Sequence, residues 1–363
     1  MLNLSDDEKG IIILYECNFP QTLTYKIFHH IERGADILNY ENKREFWRKL
    51  LGEEKFNYFE CKCNEETLEL FEIQNLKQGI KCITYASELY PQKLKEIAQP
   101  PLVLFYIGNI NLLNTKSIAV VGTRAISSYG ANVTEKFAKT LAEAGITIVS
   151  GLAEGVDAVA HTASLAVNGN TIAVLAGGLS SIYPSINTNL AKEIAKSGLL
   201  ITEYRYGDGF LKYHFPFRNR IVAGLSDGVL ITEAGNKSGT RHTVEFAMEY
   251  NRNLYAIPGN ITSYKSEYPN RLIKSCNACM VMSPEDILSD LNCTFIPKVA
   301  KNITQIDLTQ STILDMLNEE QFVHFDKILE VTGLETRKLN SILINMELMG
   351  IVTKLPGNNY SKK

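Results

Sequence analysis

The sequence predicts an α/β protein in which a parallel-sheet domain is flanked by a small helical domain and a winged-helix domain. Two observations predict the sheet. From Ser117 to about Ser289, short β-branched segments alternate regularly with amphipathic ones, and this alternation is typical of a parallel sheet with helices on both faces. Several of the short segments also end in glycine-rich stretches, as expected where loops at the carboxyl edge of such a sheet bind a ligand.

Length and composition place the protein among ordinary globular chains. It has 363 residues, of which 45% are hydrophobic and 21% are charged, enough for two or three domains with apolar cores. No apolar run reaches the roughly 18–20 residues that a membrane span needs. The stretch Met1–Gly10 is acidic and polar, unlike a secretory signal. We therefore expect a cytoplasmic protein that does not contact a membrane.

The cysteines predict reduced thiols. All seven are scattered, and the close pairs Cys61/Cys63 and Cys276/Cys279 lack a second pair or a histidine at zinc-site spacing. A metal or redox role for these pairs is the lesser alternative. We expect no metal and no cofactor.

Charge is distributed unevenly along a chain whose net charge is −3, a value that argues against a strongly basic nucleic-acid binder. Residues 1–85 contain 11 Lys and Arg against 15 Asp and Glu, residues 86–290 contain 18 against 17, and residues 304–363 contain 6 against 8. Any anion-binding site must therefore be local, and we expect it in the middle segment.

Residues 1–85 are predicted to form a small helical domain of the SAM or helix-hairpin-helix type. Apolar residues recur at helical spacing in Thr24–Leu38 and Thr67–Leu76, and no catalytic pattern stands out there. We expect a packing or protein-interaction role. Two short strands are predicted next, at Lys81–Tyr85 and Leu102–Tyr106.

The sheet domain is predicted over residues 86–290. Its main strands are predicted at Ser117–Val121, Thr147–Ser150, Thr171–Leu175, Leu199–Thr202, Gly228–Thr232 and Asn253–Ile257. The helices between them are predicted at Gly130–Ala144, Ala158–Asn168, Asn187–Lys196, Arg218–Leu225 and Thr243–Tyr250. After a polar linker, residues 304–363 are predicted to form three helices and a hairpin, which is the pattern of a winged helix.

Glycine-rich loops follow three of these strands at the expected carboxyl edge. They are Gly122-Thr123-Arg124, Ser150-Gly151-Leu152-Ala153-Glu154-Gly155 and Ala176-Gly177-Gly178. Glycine lets backbone N–H groups approach an anion closely, and the N-terminus of the following helix adds a favourable dipole. The loops therefore predict a binding face for a phosphate-bearing ligand. Glycines that serve only tight turns are the alternative.

A segment from Lys212 to Arg220 interleaves basic and aromatic residues and contains no acid. Arginine forks clamp phosphates, and rings such as Phe215 or Phe217 can stack on unpaired bases. If the apolar run after it is helical, Arg218 and Arg220 lie in the first turn, where cations oppose the helix dipole. This unfavourable placement indicates a functional role, with a solvated basic turn as the alternative. The site residues assigned to this segment are Lys212, Phe215, Arg218, Asn219 and Arg220.

Another loop of small residues follows the Gly228–Thr232 strand and leads into a helix. It runs from Glu233 to Thr243, and Lys237, Arg241 and His242 add further hydrogen-bond donors. The residues assigned to the site from this loop are Lys237, Ser238, Gly239, Thr240 and Arg241. A plain turn between a strand and a helix is the alternative.

Asp157 and His161 are four residues apart at the start of a predicted helix and could face each other. We expect a hydrogen-bonded pair that orders the Gly151–Gly155 loop, and a similar ordering role for Glu233. Acid–base chemistry is the alternative, but no convincing set of nucleophile, base and orienting group is present.

Two common nucleotide-binding signatures are missing. No GxGxxG follows the first main strand, and no GxxxxGK[ST] occurs in the chain. The sequence therefore predicts neither a dinucleotide enzyme nor a P-loop NTPase.

These segments together resemble the DNA-processing protein A family, DprA/Smf. The blocks that carry the resemblance are Gly122-Thr123-Arg124 with Tyr129-Gly130, Ser150 to Asp157 with Ala160-His161, Tyr183-Pro184, Phe215 to Arg220, Glu233-Ala234, Ser238-Gly239 and Pro258-Gly259. The resemblance covers most of the chain. It weakens between Ser263 and Cys279, and it is too weak to assign residues 1–85.

The resemblance implies a Rossmann-like domain that forms a homodimer and binds single-stranded DNA without turning it over. It further implies a protein that protects incoming DNA and loads RecA recombinase during natural transformation. By position, Arg124 matches the arginine of the family's first loop, which is expected at the DNA phosphates. Arg218 and Arg220 match the family's Arg-Asn-Arg block.

Two other functions stay open. A nucleotide phosphoribohydrolase would use a PGGxGTxxE loop, and Gly239-Thr240 matches its GT, but His242 and Thr243 stand where the carboxylates should be. A winged-helix transcriptional regulator would need a basic recognition helix, whereas residues 304–363 carry more acids than bases.

Overall fold

The structure, a computed structural model, describes residues 4–76, 79–293, 308–319, 322–348 and 351–362. The chain divides into two compact units, Met1–Ile296 and Pro297–Lys363, and each has a hydrophobic core of its own. The polar linker predicted at Asn292–Gln305 lies largely outside the described residues.

Helices form the start of the first unit. They are α1 Asp6–Glu16, α2 Gln21–Phe28, α3 Ala35–Leu38, α4 Arg44–Leu51, α5 Glu53–Lys62 and α6 Glu65–Asn75. The first begins at a capping box, in which Ser5 and Glu8 satisfy each other's backbone N–H groups. The predicted helix Thr24–Leu38 is wrong in extent, because one helix ends at Phe28 and the next begins at Ala35, directly after Gly34. A Cβ at that glycine would lie 2.0 Å from the carbonyl oxygen of Asp7.

The strands of the first unit form one sheet, nine-stranded over the described residues. They are β1 Lys81–Thr84, β2 Val103–Gly108, β3 Ser117–Val121, β4 Thr147–Ser150, β5 Thr171–Val174, β6 Leu199–Thr202, β7 Gly228–Ile231, β8 Asn253–Ala256 and β9 Cys279–Met280. Their order is β1-β2-β6-β5-β4-β3-β7-β8-β9. The seven strands β3 to β9 run parallel to one another. Strand β2 pairs antiparallel with both β1 and β6.

Helices cover both faces of this sheet, as the alternation predicted. They are α7 Gln92–Lys95, α8 Ser128–Glu143, α9 Val156–Ala166, α10 Thr188–Ser197, α11 His214–Leu225, α12 Thr240–Glu249, α13 Glu267–Lys274 and α14 Pro284–Asp290. Alternate residues of β3 point to opposite faces. Ile118 and Val120 pack with α8, α9 and α14, while Ala119 and Val121 pack with α7, α11, α12 and α13.

The N-terminal helices share a core with the antiparallel end of the sheet. Phe105 of β2 lies in one buried cluster with residues of α1 and α6. Its ring centroid lies 5.9 Å from that of Tyr15 and 5.7 Å from that of Phe71. Residues 4–76 therefore pack as part of the first unit, and the expected domain boundary near residue 85 stays a prediction.

The second unit is a winged helix, which confirms the prediction. Its elements are α15 Leu308–Glu319, β10 Val323–His324, α16 Phe325–Thr332, α17 Thr336–Leu348, β11 Val352–Leu355 and β12 Asn359–Lys362. The strands form an antiparallel sheet in the order β10-β12-β11. Ile313, Ile328, Leu343 and Tyr360 close its core.

The predicted fold class is confirmed: a Rossmann-like sheet domain with helices before it and a winged helix after it. Strands β4 and β6 have the predicted bounds. Helix α11 begins four residues before the predicted start, and α12 begins three residues before. Among the described helices, none is long and apolar enough to cross a membrane.

Leu141→Ala tests whether the N-terminal helices unfold together with the sheet. Leu141 is fully buried in α8, on the sheet face away from α11, and truncating it should cost about 2–5 kcal/mol of unfolding free energy. Trp47, the chain's one tryptophan, lies in α4, so its fluorescence in urea reports on the N-terminal helices. We expect its transition midpoint to fall in the variant. An unchanged midpoint would show that these helices fold independently.

Candidate functional site

The sheet topology creates a crevice at the carboxyl ends of the central strands. From β3 the chain adds β4, β5 and β6 on one side and then crosses to β7 on the other side. The loops that follow β3 and β7 diverge at this switch point, where open α/β sheets bind ligands. A cavity of about 530 Å³ lies there, formed by the ends of both loops, the Gly151 loop and helix α11.

The cavity brings together many of the residues that the sequence assigned to a site. Those that line it are Gly122, Thr123, Arg124, Gly151, Phe215, Arg218, Asn219, Lys237, Ser238, Gly239 and Thr240. They come from loops that are far apart in sequence, and they meet because the carboxyl ends of parallel strands share one edge. Ser150, Gly155, Lys212, Arg220 and Arg241 are not in the lining.

Positive charge dominates the cavity. Arg124 and Lys237 are exposed at its surface, and within the described parts of the chain neither has an acidic partner. The guanidinium of Arg124 lies 5.8 Å from the ring centroid of Phe215. Asp157 is the one acidic residue among the described residues of the lining, and its carboxylate accepts hydrogen bonds from backbone N–H groups. The cavity is therefore suited to an anion.

Asp157 orders the Gly151 loop. One of its carboxylate oxygens accepts hydrogen bonds from the backbone N–H of Gly151 at 3.0 Å and of Ala153 at 3.3 Å. Burial raises the pKa of this carboxyl, and the neighbouring Arg218 opposes that shift. The acid therefore fixes the loop and has its hydrogen bonds directed into the protein.

Arg218 lies beneath the same loop. Its side chain is 5% exposed, and Nη1 donates to the carbonyl oxygen of Gly151 at 2.7 Å and also to that of Val174. A Cβ at Gly151 would lie 2.4 Å from Nη2. Burial lowers the pKa of this arginine to about 10, so it stays charged at neutral pH. Arg218 thus supports the loop and adds positive charge to the floor of the cavity.

Arg220 does not reach the cavity, which corrects its expected place at the phosphates. Its side chain is 1% exposed, and Nη1 and Nη2 donate to the two carboxylate oxygens of Glu203 at 2.8 and 2.6 Å. The guanidinium carbon lies 3.9 Å from the ring centroid of Phe217, and Phe217 is not in the cavity lining. Because α11 begins at His214, neither arginine lies in its first turn, and the dipole argument was wrong.

The remaining loop residues have mainly structural contacts. Ser150 donates from Oγ to the carbonyl oxygen of Val120 at 2.7 Å. Gly155 has a φ of 76°, and a Cβ there would lie 2.3 Å from the carbonyl oxygen of Thr123. Arg241 is exposed and lies 3.6 Å from Glu245.

Glu233 ties the loop after β7 to the start of α8. Its carboxylate accepts hydrogen bonds from the backbone N–H and the hydroxyl of Ser127, at 2.9 and 2.5 Å. A Cβ at Gly130 would lie 2.3 Å from the same carboxylate. The two loops on either side of the crevice are therefore joined behind it.

His161 does not pair with Asp157, contrary to expectation. It is fully buried, and its Nδ1 lies 2.7 Å from the hydroxyl of Thr171. Burial, reinforced by the charge of Arg218, lowers the pKa of His161 to about 3. The imidazole is therefore neutral at physiological pH, and it is buried between α9 and the sheet.

An aromatic wall stands beside Arg124, and sequence reasoning missed two of its three members. It consists of Tyr183, Phe210 and Phe215, with Tyr183 centred 5.4 Å from Phe210 and 5.2 Å from Phe215. Tyr183 is 47% exposed. Tyr183 belongs to a Tyr-Pro block that the sequence analysis noted only for its resemblance, and Phe210 lies in no recognisable pattern.

The third glycine loop, Ala176-Gly177-Gly178, packs closely against a neighbouring segment, and its expected role in binding an anion stays a prediction. A Cβ at Gly178 would lie 2.0 Å from the carbonyl oxygen of Arg205, and a Cβ at Gly177 would lie 2.5 Å from the ring of Phe210. These glycines let the chain between β6 and α11 pack closely on the sheet edge.

In the described part of the chain, no group of three or more His, Cys, Asp or Glu side chains is arranged to hold a metal ion. All seven cysteines are free thiols.

Fold and site define a class: a Rossmann-like protein whose carboxyl-edge loops form a cationic crevice flanked by aromatic rings. Residues 81–292 match the DNA recombination-mediator protein A family, and residues 300–358 match the DprA winged helix domain. The chain therefore belongs to the DNA recombination-mediator protein A family, DprA/Smf.

Relatives span most of the chain. Protein Smf of Escherichia coli K12 is 38% identical over 279 residues, which are 75% of this chain and 74% of the relative. The DNA processing protein DprA of Streptococcus pneumoniae R6 is 45% identical over 213 residues, 59% of this chain and 75% of the relative.

Two solved structures are also similar. The X-ray structure of DprA from Streptococcus pneumoniae has a TM-score of 0.68 and 34% identity, covering 81% of this chain and 100% of that one. DNA processing protein A from Helicobacter pylori, solved for its unique single-stranded DNA binding mode, has a TM-score of 0.55 and 30% identity, covering 60% and 98%.

Arg220→Met tests the structural role of the buried ion pair. The substitution leaves Glu203 without its partner, and breaking a buried pair costs about 3–5 kcal/mol of unfolding free energy. The double variant Arg220→Met, Glu203→Met should recover much of that loss, because no unpaired charge is left. Urea denaturation of the three proteins measures both effects. A single variant as stable as the wild type would contradict the assignment.

Proposed function

We propose that the protein binds single-stranded DNA in the crevice at the switch point and holds it without chemical change. The observation that carries this proposal is the convergence of Arg124, Arg218 and Lys237 on one cavity beside the aromatic wall. Cations attract the phosphate backbone, and rings stack on bases of any sequence. The site therefore has both parts that unpaired DNA requires.

The arrangement favours a polymer over a small nucleotide. Arg124 lies at the rim of the cavity and contacts Phe215 of the wall, so positive charge continues from the cavity to the aromatic surface. Lys212, assigned from the sequence, is exposed two residues before the start of α11. A strand could lie along this line with phosphates at the cations and bases on the rings.

The comparisons support this proposal from outside the chain. The similar Helicobacter pylori protein was solved for its single-stranded DNA binding mode, and the family is named for mediating DNA recombination. We propose in addition that the protein acts in the cytoplasm as a homodimer, protects incoming DNA and loads RecA recombinase during natural transformation. A RecA strand-exchange assay on single strands coated with a single-strand binding protein tests the last step, and unchanged RecA loading would contradict it.

A phosphoribohydrolase is less well supported. Such an enzyme needs free carboxylates beside its Gly-Thr loop, whereas His242 and Thr243 line the cavity there. Asp157, the acid in the lining, is held by two backbone N–H groups. Free base released from nucleoside monophosphates would contradict this conclusion.

Arg124→Ala tests the phosphate contact. Removing one charge-assisted contact should weaken single-strand binding by about 1–2 kcal/mol, close to tenfold, whatever the base sequence. The slope of log K against log salt should also fall by about 0.7. Lys139→Ala is the matched control, since Lys139 is exposed on α8 and lies outside the cavity lining. Equal salt slopes for Arg124→Ala and wild type would count against the proposed site.

Tyr183→Ala tests the aromatic wall. Loss of one stacking partner should cost about 1–3 kcal/mol of binding free energy. The same loss should vanish when the oligonucleotide carries an abasic site at the nucleotide that stacks on Tyr183. Tyr58→Ala is the control, because Tyr58 is 46% exposed, like Tyr183, but lies on α5. Equal losses on intact and abasic strands would show that Tyr183 makes no base contact.

A further inference from the structure

We infer that the N-terminal helices position the DNA-binding site, and that Arg205 is the positioning residue through which they do so. This inference rests on the proposed function, because it gives residues 4–76 a part in that binding. The link is the 203–213 segment, which joins β6 to α11. This segment carries Phe210 of the aromatic wall and the exposed Lys212.

The 203–213 segment is a chain of turns and bends between β6 and α11. Segments without regular structure keep one conformation only when contacts from outside hold them. On the sheet side, the backbone N–H of Gly178 donates to the carbonyl oxygen of Asp208 at 3.0 Å. The backbone N–H of Ser180 donates to the carbonyl oxygen of Tyr206 at 3.1 Å. The other side of the segment faces the N-terminal helices.

Arg205 is the strongest contact with those helices. Its Nε donates to the carboxylate of Glu16 at 3.2 Å, and its Nη2 donates to the carbonyl oxygen of Tyr15, also at 3.2 Å. The guanidinium lies 4.8 Å from the ring centroid of Tyr15. The side chains of Arg205 and Glu16 are only 25% and 12% exposed, so solvent screens this ion pair less than a surface pair.

Two further hydrogen bonds flank Arg205. The hydroxyl of Tyr15 donates to the carbonyl oxygen of Glu203 at 2.9 Å, and the backbone N–H of Tyr206 donates to the side chain of Asn75 at 3.2 Å. Helices α1 and α6 therefore hold three of the first four residues of the segment.

The other end of the segment builds the proposed binding surface. Phe210 contacts Tyr183 and Phe215, with ring centroids 5.4 and 6.5 Å away, and Arg124 lies over Phe215. The 203–213 segment thus connects Arg205, which is held by Glu16, to Phe210, whose ring contacts lead to the rim of the cavity. If the hold on Arg205 is lost, Phe210 and Lys212 lose their fixed positions, and binding must then supply the ordering free energy.

Glu16→Ala separates positioning from simple electrostatics. If Arg205 acted on DNA only through its charge, removing a nearby acid would leave binding unchanged or make it tighter. If Arg205 acts by fixing the segment, the same substitution weakens binding, by at least about fivefold. The two explanations therefore predict opposite signs.

Glu60→Ala is the matched control. Glu60 lies on α5 of the same helical region and pairs with Arg44 at 2.5 Å, and it is not among the residues that hold the 203–213 segment. Arg205→Lys adds a second test, since lysine keeps the charge but cannot bond Glu16 and Tyr15 as a fork. We expect weaker binding for Glu16→Ala and Arg205→Lys, and wild-type binding for Glu60→Ala.

The experiment titrates fluorescent single-stranded oligonucleotides with each full-length protein and measures hydrogen exchange across residues 203–213. Faster exchange in that segment together with weaker binding, in Glu16→Ala but not in Glu60→Ala, is the expected result. Wild-type affinity in Glu16→Ala overturns the inference, and so does an equal loss in Glu60→Ala. If the wild-type protein itself fails to bind single strands, the proposed function falls and this inference falls with it.

Discussion

The buried ion pair between Arg220 and Glu203 is the interaction on which the site depends. It joins the end of β6 to the second turn of α11, and the two terminal guanidinium nitrogens each donate to one carboxylate oxygen. A charge buried this deeply is costly unless its partner is in place, so helix and strand are held in one relative position. Arg218 lies two residues earlier on the same helix, and its reach to Gly151 and Val174 follows from that position.

One helix thereby divides neighbouring residues among different tasks. Phe215 is part of the aromatic wall, and Arg218 supports the floor of the cavity. The ring of Phe217 packs on the guanidinium of Arg220. Glycines contribute to this arrangement because their lack of a side chain allows close packing. Gly151 leaves room for the guanidinium of Arg218, and Gly155 lets one loop pack on the next. The tight packing gives the crevice a fixed shape before any ligand enters.

Sequence patterns predicted the sheet well because buried parallel strands are continuous apolar runs, as in β4 and β6. The start of α11 was missed because His214 to Phe217 look like a basic, proline-containing loop. Helix α1 was missed although its capping residues were visible, because Ile11 to Leu14 also fit a strand. The partner of Arg220 is 17 residues away in an irregular segment, and no local pattern indicates such a contact. The loops of the site could be predicted, since topology alone gathers them at one edge.

A chain with a net charge of −3 does not attract DNA by its overall field, so the DNA affinity that we propose must come from a few well-placed cations. Such a site gains little from flexible side chains, because every group that is ordered on binding reduces the affinity. The acidic N-terminal helices are then compatible with DNA binding, provided that their carboxylates form ion pairs within the protein, as Glu16 does with Arg205. The same carboxylates that would repel a strand in solution instead fix the segment that meets it. For the binding that we propose, the rigidity of the site therefore matters more than the net charge of the chain.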